Sequence, residues 1–155
     1  MIDTRQIAIE HPVFGQGERR KGYTMKTILV ADNMPAGQGC IAEILNRWGY
    51  QVIALQTGAE ALSALRNDGT VDLIISGYQM PDMDGLVLAA FVKTFFPRLP
   101  LIMVTACSGI ETYIKTLGLG VFDCLNKPVV AHELRKVVNA AMDPLPLLSD
   151  NVVNF

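Results

Sequence analysis

Five short apolar runs alternate with five segments of helical periodicity along most of this sequence. The runs, of which TILVA and LIMVT are examples, are rich in β-branched residues, as buried strands are. The segments between them place apolar residues three and four positions apart, as an amphipathic helix does. Strands that alternate with helices form a parallel sheet with helices on both faces, so the pattern predicts an α/β fold.

The periodicity also predicts where each element lies. We expect strands at Thr27–Ala31, Gln51–Leu55, Asp72–Ser76, Leu101–Thr105 and Val121–Leu125, and helices at about Gly37–Trp48, Ala59–Arg66, Leu86–Phe95, Ile110–Leu117 and Ala131–Ala141. Gly49, Gly69 and Gly118 follow helical segments, where glycine commonly ends a helix.

Length and composition favour one soluble domain. A chain of 155 residues has room for one core, and 50% hydrophobic residues against 18% charged exclude a disordered chain. We expect the domain at 26–142, with 1–25 as a flexible extension or leader and 143–155 as a tail or the start of a linker. No apolar run approaches the roughly 20 residues of a membrane span.

Charge and cysteine content exclude further classes. A net charge of −2 and the lack of a helix-turn-helix or zinc-finger pattern argue against nucleic acid as a partner. Cys40, Cys107 and Cys124 show no C-x-x-C spacing, and we interpret them as buried thiols in a reducing cytoplasm.

The stretch VDLIISGYQMPDMDG at 71–85 reads as a buried strand that ends at a loop, which is where open α/β sheets bind ligands. Polar residues also follow other predicted strands: Asp32-Asn33, Thr105 in MVTA, and Lys127 in GLGVFDCLNKP. Together these segments resemble the receiver domain of two-component response regulators. The resemblance implies a flavodoxin-like, doubly wound (βα)5 fold with a five-stranded parallel sheet in the order 2-1-3-4-5.

The resemblance also implies a site with its central residue replaced. In the family, an Asp four residues before the Pro of a Met-Pro pair accepts a phosphoryl group, and here that position is Gly77. The family's acidic pair after the first strand is Asp32-Asn33 here. We therefore expect no enzymatic activity, no cofactor, and at most weak Mg²⁺ binding at Asp32, Asn33 and the backbone carbonyl of Gln79.

The remaining family residues imply a binding module. Thr105 and Lys127 would be remnants of the family's switch, and Lys127-Pro128 stands where members have a cis peptide bond. The expected partner is a sensor kinase, a hybrid kinase, an output domain or a second copy of the chain. The candidate contact residues are Ile110, Thr112, Lys115, Cys124 and Lys136. Cys124 replaces the Tyr or Phe that active members often carry.

Three alternatives stay open on the sequence alone. Gly77 can be a natural or an engineered replacement in an otherwise active receiver. Phosphoryl transfer can use another residue, although strand alternation turns Ser76 to the opposite face and Tyr78 is a poor mimic of a carboxylate in size. Asp72 lies at the far strand end, and Asp82 and Asp84 belong to the following turn and helix start. A flavin in the strand-end crevice is disfavoured because DNMPAGQG lacks the Ser/Thr- and Gly-rich character of a phosphate cradle.

Overall fold

Five strands alternate with five helices in a computed structural model that describes residues 25–32, 35–67, 69–106 and 109–143, without the side chains of 35–39. The elements are β1 (Thr27–Ala31), α1 (Pro35–Arg47), β2 (Gln51–Leu55), α2 (Gly58–Asn67), β3 (Leu73–Gly77), α3 (Gly85–Phe95), β4 (Leu101–Thr105), α4 (Ile110–Gly118), β5 (Asp123–Asn126) and α5 (Ala131–Met142). None of the helices in these ranges is long and apolar enough to cross a bilayer.

The strands form one parallel sheet in the order β2-β1-β3-β4-β5. The flavodoxin-like topology expected from the sequence is therefore confirmed. β1 lies between β2 and β3, so the chain first builds one edge of the sheet and then reverses to build the other. The carboxyl ends of β1, β3 and β4 consequently lie side by side, at the position where this class of sheet places its sites.

A separate hydrophobic core covers each face of the sheet, because alternate residues of each strand point to opposite faces. On one face, α1 and α5 supply side chains such as Leu45 and Leu134. On the other, α2 and α3 supply Leu62 and Leu88. The strands are buried on both sides, which explains their near-continuous apolar sequences.

Two predicted strands are displaced along the chain. β3 extends to Gly77, which pairs with Val104, whereas the sequence predicted a loop beginning at this glycine. β5 begins at Asp123 rather than at Val121. The backbone N–H of Val121 donates to the carbonyl of Thr116, so Val121 completes the turn after α4 and is unavailable to the strand.

Two further predictions need correction. Cys40 is exposed on α1 rather than buried, and Cys124 is only half-buried; Cys107 lies outside the described residues. α4 ends at Gly118, where the sequence predicted a helix end, and Gly120, with a φ of +84°, allows the turn that follows. Most of the predicted extension 1–25 and tail 143–155 also lies outside the described residues, so those assignments stay predictions.

Candidate functional site

Four strand ends bring the predicted pocket residues to one edge of the sheet. Asp32 directly follows β1, Gly77 ends β3, Thr105 ends β4 and Lys127 follows β5. The backbone N–H of Lys127 donates to the carbonyl of Thr105 at 2.9 Å, which fixes the end of β5 against β4. Asn33 lies outside the described residues.

An ion pair occupies the centre of this edge. Lys127 Nζ lies 3.0 Å from Asp32 Oδ2, and Asp32 is buried to 2% exposure. A carboxylate buried to this degree requires a charged or hydrogen-bonding partner, because desolvation would otherwise strongly disfavour its ionised form. Lys127 reaches it from the loop that contains the cis peptide bond Lys127-Pro128, at the position where the sequence suggested one.

Gly77 lies directly against the same carboxylate. A Cβ placed on Gly77 would lie 3.0 Å from Asp32 Oδ1 and 3.1 Å from Asp32 Cγ, closer than ordinary van der Waals contact. The Asp32 carboxylate thus packs over the bare backbone of Gly77. A side chain at position 77 would have to displace it by a few tenths of an ångström.

The loop after β3 is held by backbone contacts. Gly85 N–H donates to the carbonyl of Tyr78 at 2.6 Å, and Gln79 pairs with Asp84 in a short antiparallel bridge. Gly85 approaches so closely that a Cβ there would overlap the carbonyl oxygen of Gly77. This close approach explains sterically why the last residue of MPDMDG is a glycine.

Asp82 has a role that the sequence reasoning did not assign. Its two carboxylate oxygens accept hydrogen bonds from the backbone N–H groups of Gly58, at 3.1 Å, and Ala59, at 2.8 Å. Burial works against ionisation, but these bonds outweigh it and lower the pKa of Asp82. Asp82 therefore caps α2 from a loop that is distant in sequence, which local sequence patterns do not reveal.

The other side chains considered as substitute acceptors are engaged elsewhere. Ser76 is fully buried, and its hydroxyl donates to the carbonyl of Gly77 at 2.9 Å. Asp72 Oδ2 accepts from the N–H of Thr27 at the opposite edge of the sheet. Tyr78 is partly buried against the core on the α2 and α3 face.

The outer surface of α4 is apolar. Ile110, Tyr113, Ile114 and Leu117 follow helical spacing and are 75%, 44%, 62% and 38% exposed. The fully buried side chain of α4 is Thr116. Its hydroxyl donates a hydrogen bond to the carbonyl of Tyr113 at 2.8 Å, within the same helix. α4 thus turns a threonine toward the sheet and its aliphatic residues toward solvent, the reverse of the usual amphipathic arrangement.

The predicted contact residues lie on α4, β5 and α5. Ile110, Lys115 and Lys136 are exposed, whereas Thr112 and Cys124 are half-buried. Burial raises the pKa of the Cys124 thiol, and the negative charge of Asp123 also raises it. A hydrogen bond with Thr116 acts in the opposite direction but does not cancel these effects. The sequence reasoning missed Tyr113, Ile114 and Leu117, although their spacing from Ile110 is visible in the sequence.

The described part of the strand ends contains few candidate metal ligands. No group of three or more His, Cys, Asp or Glu side chains within the described ranges is placed to hold a metal ion. Asp32 supplies a carboxylate at this edge of the sheet, but Lys127 already balances its charge. Gln79 is exposed beside this edge. The described donors fit Mg²⁺ poorly, since this ion usually takes one or two carboxylates among its oxygen ligands.

Residues 28–139 match the family model of the response regulator receiver domain. The chain belongs to this family. The match begins inside β1 and ends inside α5, so apart from Thr27 it covers the sheet and the pocket at its edge.

The similar proteins with curated names are longer than this chain. The transcriptional regulatory protein ZraR of Klebsiella oxytoca is 31% identical over 115 residues, which are 74% of this chain and 26% of that protein. The sensor histidine kinase RcsC of Salmonella typhi is 32% identical over 111 residues, 72% of this chain and 12% of that protein. The match therefore spans 26% and 12% of the length of these two curated relatives.

The solved structures agree with the fold. A CheY-like response regulator receiver domain from Methanospirillum hungatei superposes with a TM-score of 0.72 at 28% identity, covering 77% of this chain and 95% of that one.

Proposed function

We propose that this receiver domain serves two-component signalling through protein contact and does not accept a phosphoryl group through the usual β3 carboxylate. The observation that carries the proposal is Gly77 at the carboxyl end of β3, four residues before Pro81 and beside Asp32. Phosphoryl transfer of this kind needs a carboxylate oxygen as the nucleophile, and Gly77 has no side chain.

The ion pair supports the same proposal. With no carboxylate at position 77, Lys127 pairs with Asp32 at 3.0 Å, and Asp32 packs over Gly77. Positive and negative charges are balanced within the pocket without a bound phosphoryl group. We infer that the pair holds the strand ends in one arrangement and gives Lys127 a structural role.

Magnesium binding follows the same reasoning. Displacing Lys127 from Asp32 would cost the buried ion pair, and a metal ion would gain one described carboxylate in return. We infer weak Mg²⁺ affinity, with Asp32, Asn33 and the Gln79 carbonyl as its candidate ligands. The active-receiver alternatives have less support, because Ser76, Asp72 and Asp82 each bond to backbone groups.

The partner surface is proposed to be the face formed by α4, β5 and α5. Its centre is the apolar stripe of α4, and Lys115 and Lys136 add positive charge beside it. Exposed apolar side chains in a row are a common feature of protein-contact sites. Candidate partners are a sensor kinase, a hybrid kinase, an output domain or a second copy, all in the cytoplasm, where receiver domains exchange signals.

Amide NMR with Mg²⁺ and beryllofluoride, a phosphoryl mimic, tests the proposal. The unmodified chain should show no shifts at Thr105 or α4, whereas Gly77→Asp supplies a carboxylate at β3. Gly77→Ala is the matched control, because it adds the same Cβ against Asp32 without the carboxylate.

The outcomes separate the alternatives. Shifts that reach α4 in Gly77→Asp alone would show a competent switch that lacks its acceptor. If Gly77→Asp stays silent while Gly77→Asp combined with Asn33→Asp responds, the conversion also involves the second acidic position. A response of the unmodified chain, or covalent phosphate on it after incubation with acetyl phosphate, would overturn the proposal.

A further inference from the structure

A second exposed apolar surface lies on α3. Val87, Phe91 and Phe95 recur at intervals of four residues and are 45%, 37% and 65% exposed. The rings of Phe91 and Phe95 stack on each other, with their centroids 5.7 Å apart. We call these three residues the α3 stripe. Apolar side chains that are exposed in a contiguous row, rather than singly, mark a contact site.

The α3 stripe is separate from the apolar surface of α4. Lys93 is the single charged residue of α3, and it lies about 160° around the helix from Phe91, at about 100° per residue. Its side chain covers Gly120, since a Cβ placed on Gly120 would be 2.9 Å from Lys93 Cδ. Lys93 therefore faces the connection between α4 and β5, and the α3 stripe faces away from that connection without a charge along its length.

Opposite charges stand at the two ends of the α3 stripe. Asp84 precedes the helix and Arg98 follows it, each seven residues from Phe91, and both are exposed. Asp84 makes no side-chain capping bond to α3. Along the direction of the helix, the surface is therefore first acidic, then apolar, then basic. A surface with this order is complementary to itself when one copy is reversed.

A second copy in the antiparallel direction matches each part of this pattern. Reversal about Phe91 places Val87 of one copy opposite Phe95 of the other. It also brings Asp84 of each copy to Arg98 of the other, whereas a parallel pair would bring like charges together. Contact of the same surface on both copies is the twofold arrangement of most homodimers. Charge complementarity thus favours a second copy as the occupant over a protein of unrelated surface.

The size of the surface sets the strength of the contact. At roughly 150–250 Å² for a whole aromatic side chain, the exposed parts of the α3 stripe amount to roughly 300 Å² per copy. Ala90 and Thr94 are exposed beside the stripe, and with them and the charged ends a pair buries about 1,000 Å² in total, near the lower limit of specific interfaces. We therefore expect a weak dimer, with a dissociation constant on the order of 100 µM.

We propose that two copies of this chain associate through the α3 stripe, with their α3 helices packed antiparallel and Asp84 of each copy beside Arg98 of the other. This contact leaves the face of α4, β5 and α5 exposed on both copies. The dimer offers two such faces at once, which strengthens the binding of a partner that can engage both.

Sedimentation equilibrium on the full-length chain, from about 10 µM to about 1 mM, tests the association. We expect the dimer fraction to rise with concentration. Phe91→Glu should raise the dissociation constant at least about tenfold, because it brings two like charges together at the centre of the interface. Phe122→Glu is the matched control, since Phe122 is 41% exposed and lies outside the α3 stripe.

Charge reversal tests the antiparallel direction. Asp84→Lys and Arg98→Glu should each weaken the dimer by about fivefold, and the two changes combined in one chain should restore it, since opposite charges then meet again. Nuclear Overhauser effects between isotopically labelled and unlabelled copies of the unmodified chain give an independent measurement. We expect cross-peaks from the Val87 methyl groups of one copy to the Phe95 ring of the other.

Four results would overturn the proposal. One is a chain that stays monomeric at about 1 mM, which would leave the α3 stripe to a different protein. Another is a dimer that Phe122→Glu weakens as much as Phe91→Glu does, which would place the contact elsewhere. The third is a doubly reversed variant that does not recover the association. The last is the absence of cross-peaks between Val87 and Phe95 of different copies in the dimer.

Discussion

α2 and α4 both connect strands of the sheet, but they are held to the domain in different ways. The first turn of α2 is capped by Asp82, and Thr57 and Glu60 form a reciprocal capping box there, with bonds of 3.0–3.2 Å. α4 begins after Gly109, which has no side chain to cap it. α2 buries Ala61, Leu62, Ala64 and Leu65, whereas the buried side chain of α4 is Thr116.

The difference indicates a division of roles. A helix with satisfied N–H groups and a buried apolar face is expected to open only when the domain unfolds. A helix with an uncapped start and an apolar face in solvent has less free energy holding it to the domain, as mobile or ligand-binding elements generally do. This comparison supports α4, rather than α2, as the element that meets a partner.

The largest expected effect concerns the glycine that anchors the start of α3. Gly85→Ala would push a Cβ onto the carbonyl of Gly77 and to 2.8 Å from Met103 Sδ, so we expect it to lower the free energy of unfolding by about 3 kcal/mol. Gly109→Ala, before α4, meets no atom within 4 Å and should change it by less than about 0.5 kcal/mol. Urea unfolding measures both, and equal losses would show that the start of α4 is packed as tightly as the start of α3.

Removal of the distant cap should have a smaller effect. Asp82→Ala leaves the N–H groups of Gly58 and Ala59 without their acceptor, and we expect a loss of about 1 kcal/mol because the site is largely exposed to solvent. Asp84→Ala is the control, since Asp84 precedes α3 without a side-chain capping bond. If Asp84→Ala lowered the free energy of unfolding as much as Asp82→Ala, Asp82 would have no special role in stabilising α2.

The Asp82 cap should also depend on pH. Its pKa in the folded state lies below the value of 3.8 in the unfolded chain, so its stabilisation is complete above that value and is lost as the pH falls through the folded pKa. The difference in unfolding free energy between the unmodified chain and Asp82→Asn should therefore shrink below about pH 4. A difference that stays constant down to about pH 2.5 would show that the carboxylate charge contributes nothing.

The smallest effect on stability is expected on the surface of α4. Ile114 is 62% exposed, so Ile114→Lys should change the free energy of unfolding by less than about 0.5 kcal/mol. The same substitution should weaken any self-association through α4, measured by sedimentation, because it places a charge in the apolar stripe of this helix. A loss of stability above about 1 kcal/mol would show that α4 is packed against the domain more firmly than proposed.

Much of this molecule follows from sequence pattern because its strands are short and buried on both faces. Apolar runs such as those of β1 and β4 have the same composition wherever they lie in the sheet, and their bounds were predicted residue for residue. β5 was misplaced because Val121 is as apolar as a strand residue, and hydrogen bonding to Thr116 decides its position. The ends of helices are harder to predict for the same reason, since the residues that cap a helix can be distant in sequence.

The sequence by itself determined the alternation of strands and helices, the resemblance to the receiver family and the glycine at position 77, because all three depend on residue types and their spacing. The strand order was implied by that resemblance. Only the tertiary structure decided that Asp32 packs over Gly77 and pairs with Lys127, that Asp82 caps α2, and that α4 turns its apolar stripe outward. These contacts join segments far apart in the chain, and their energies depend on distance and burial, which residue order does not specify.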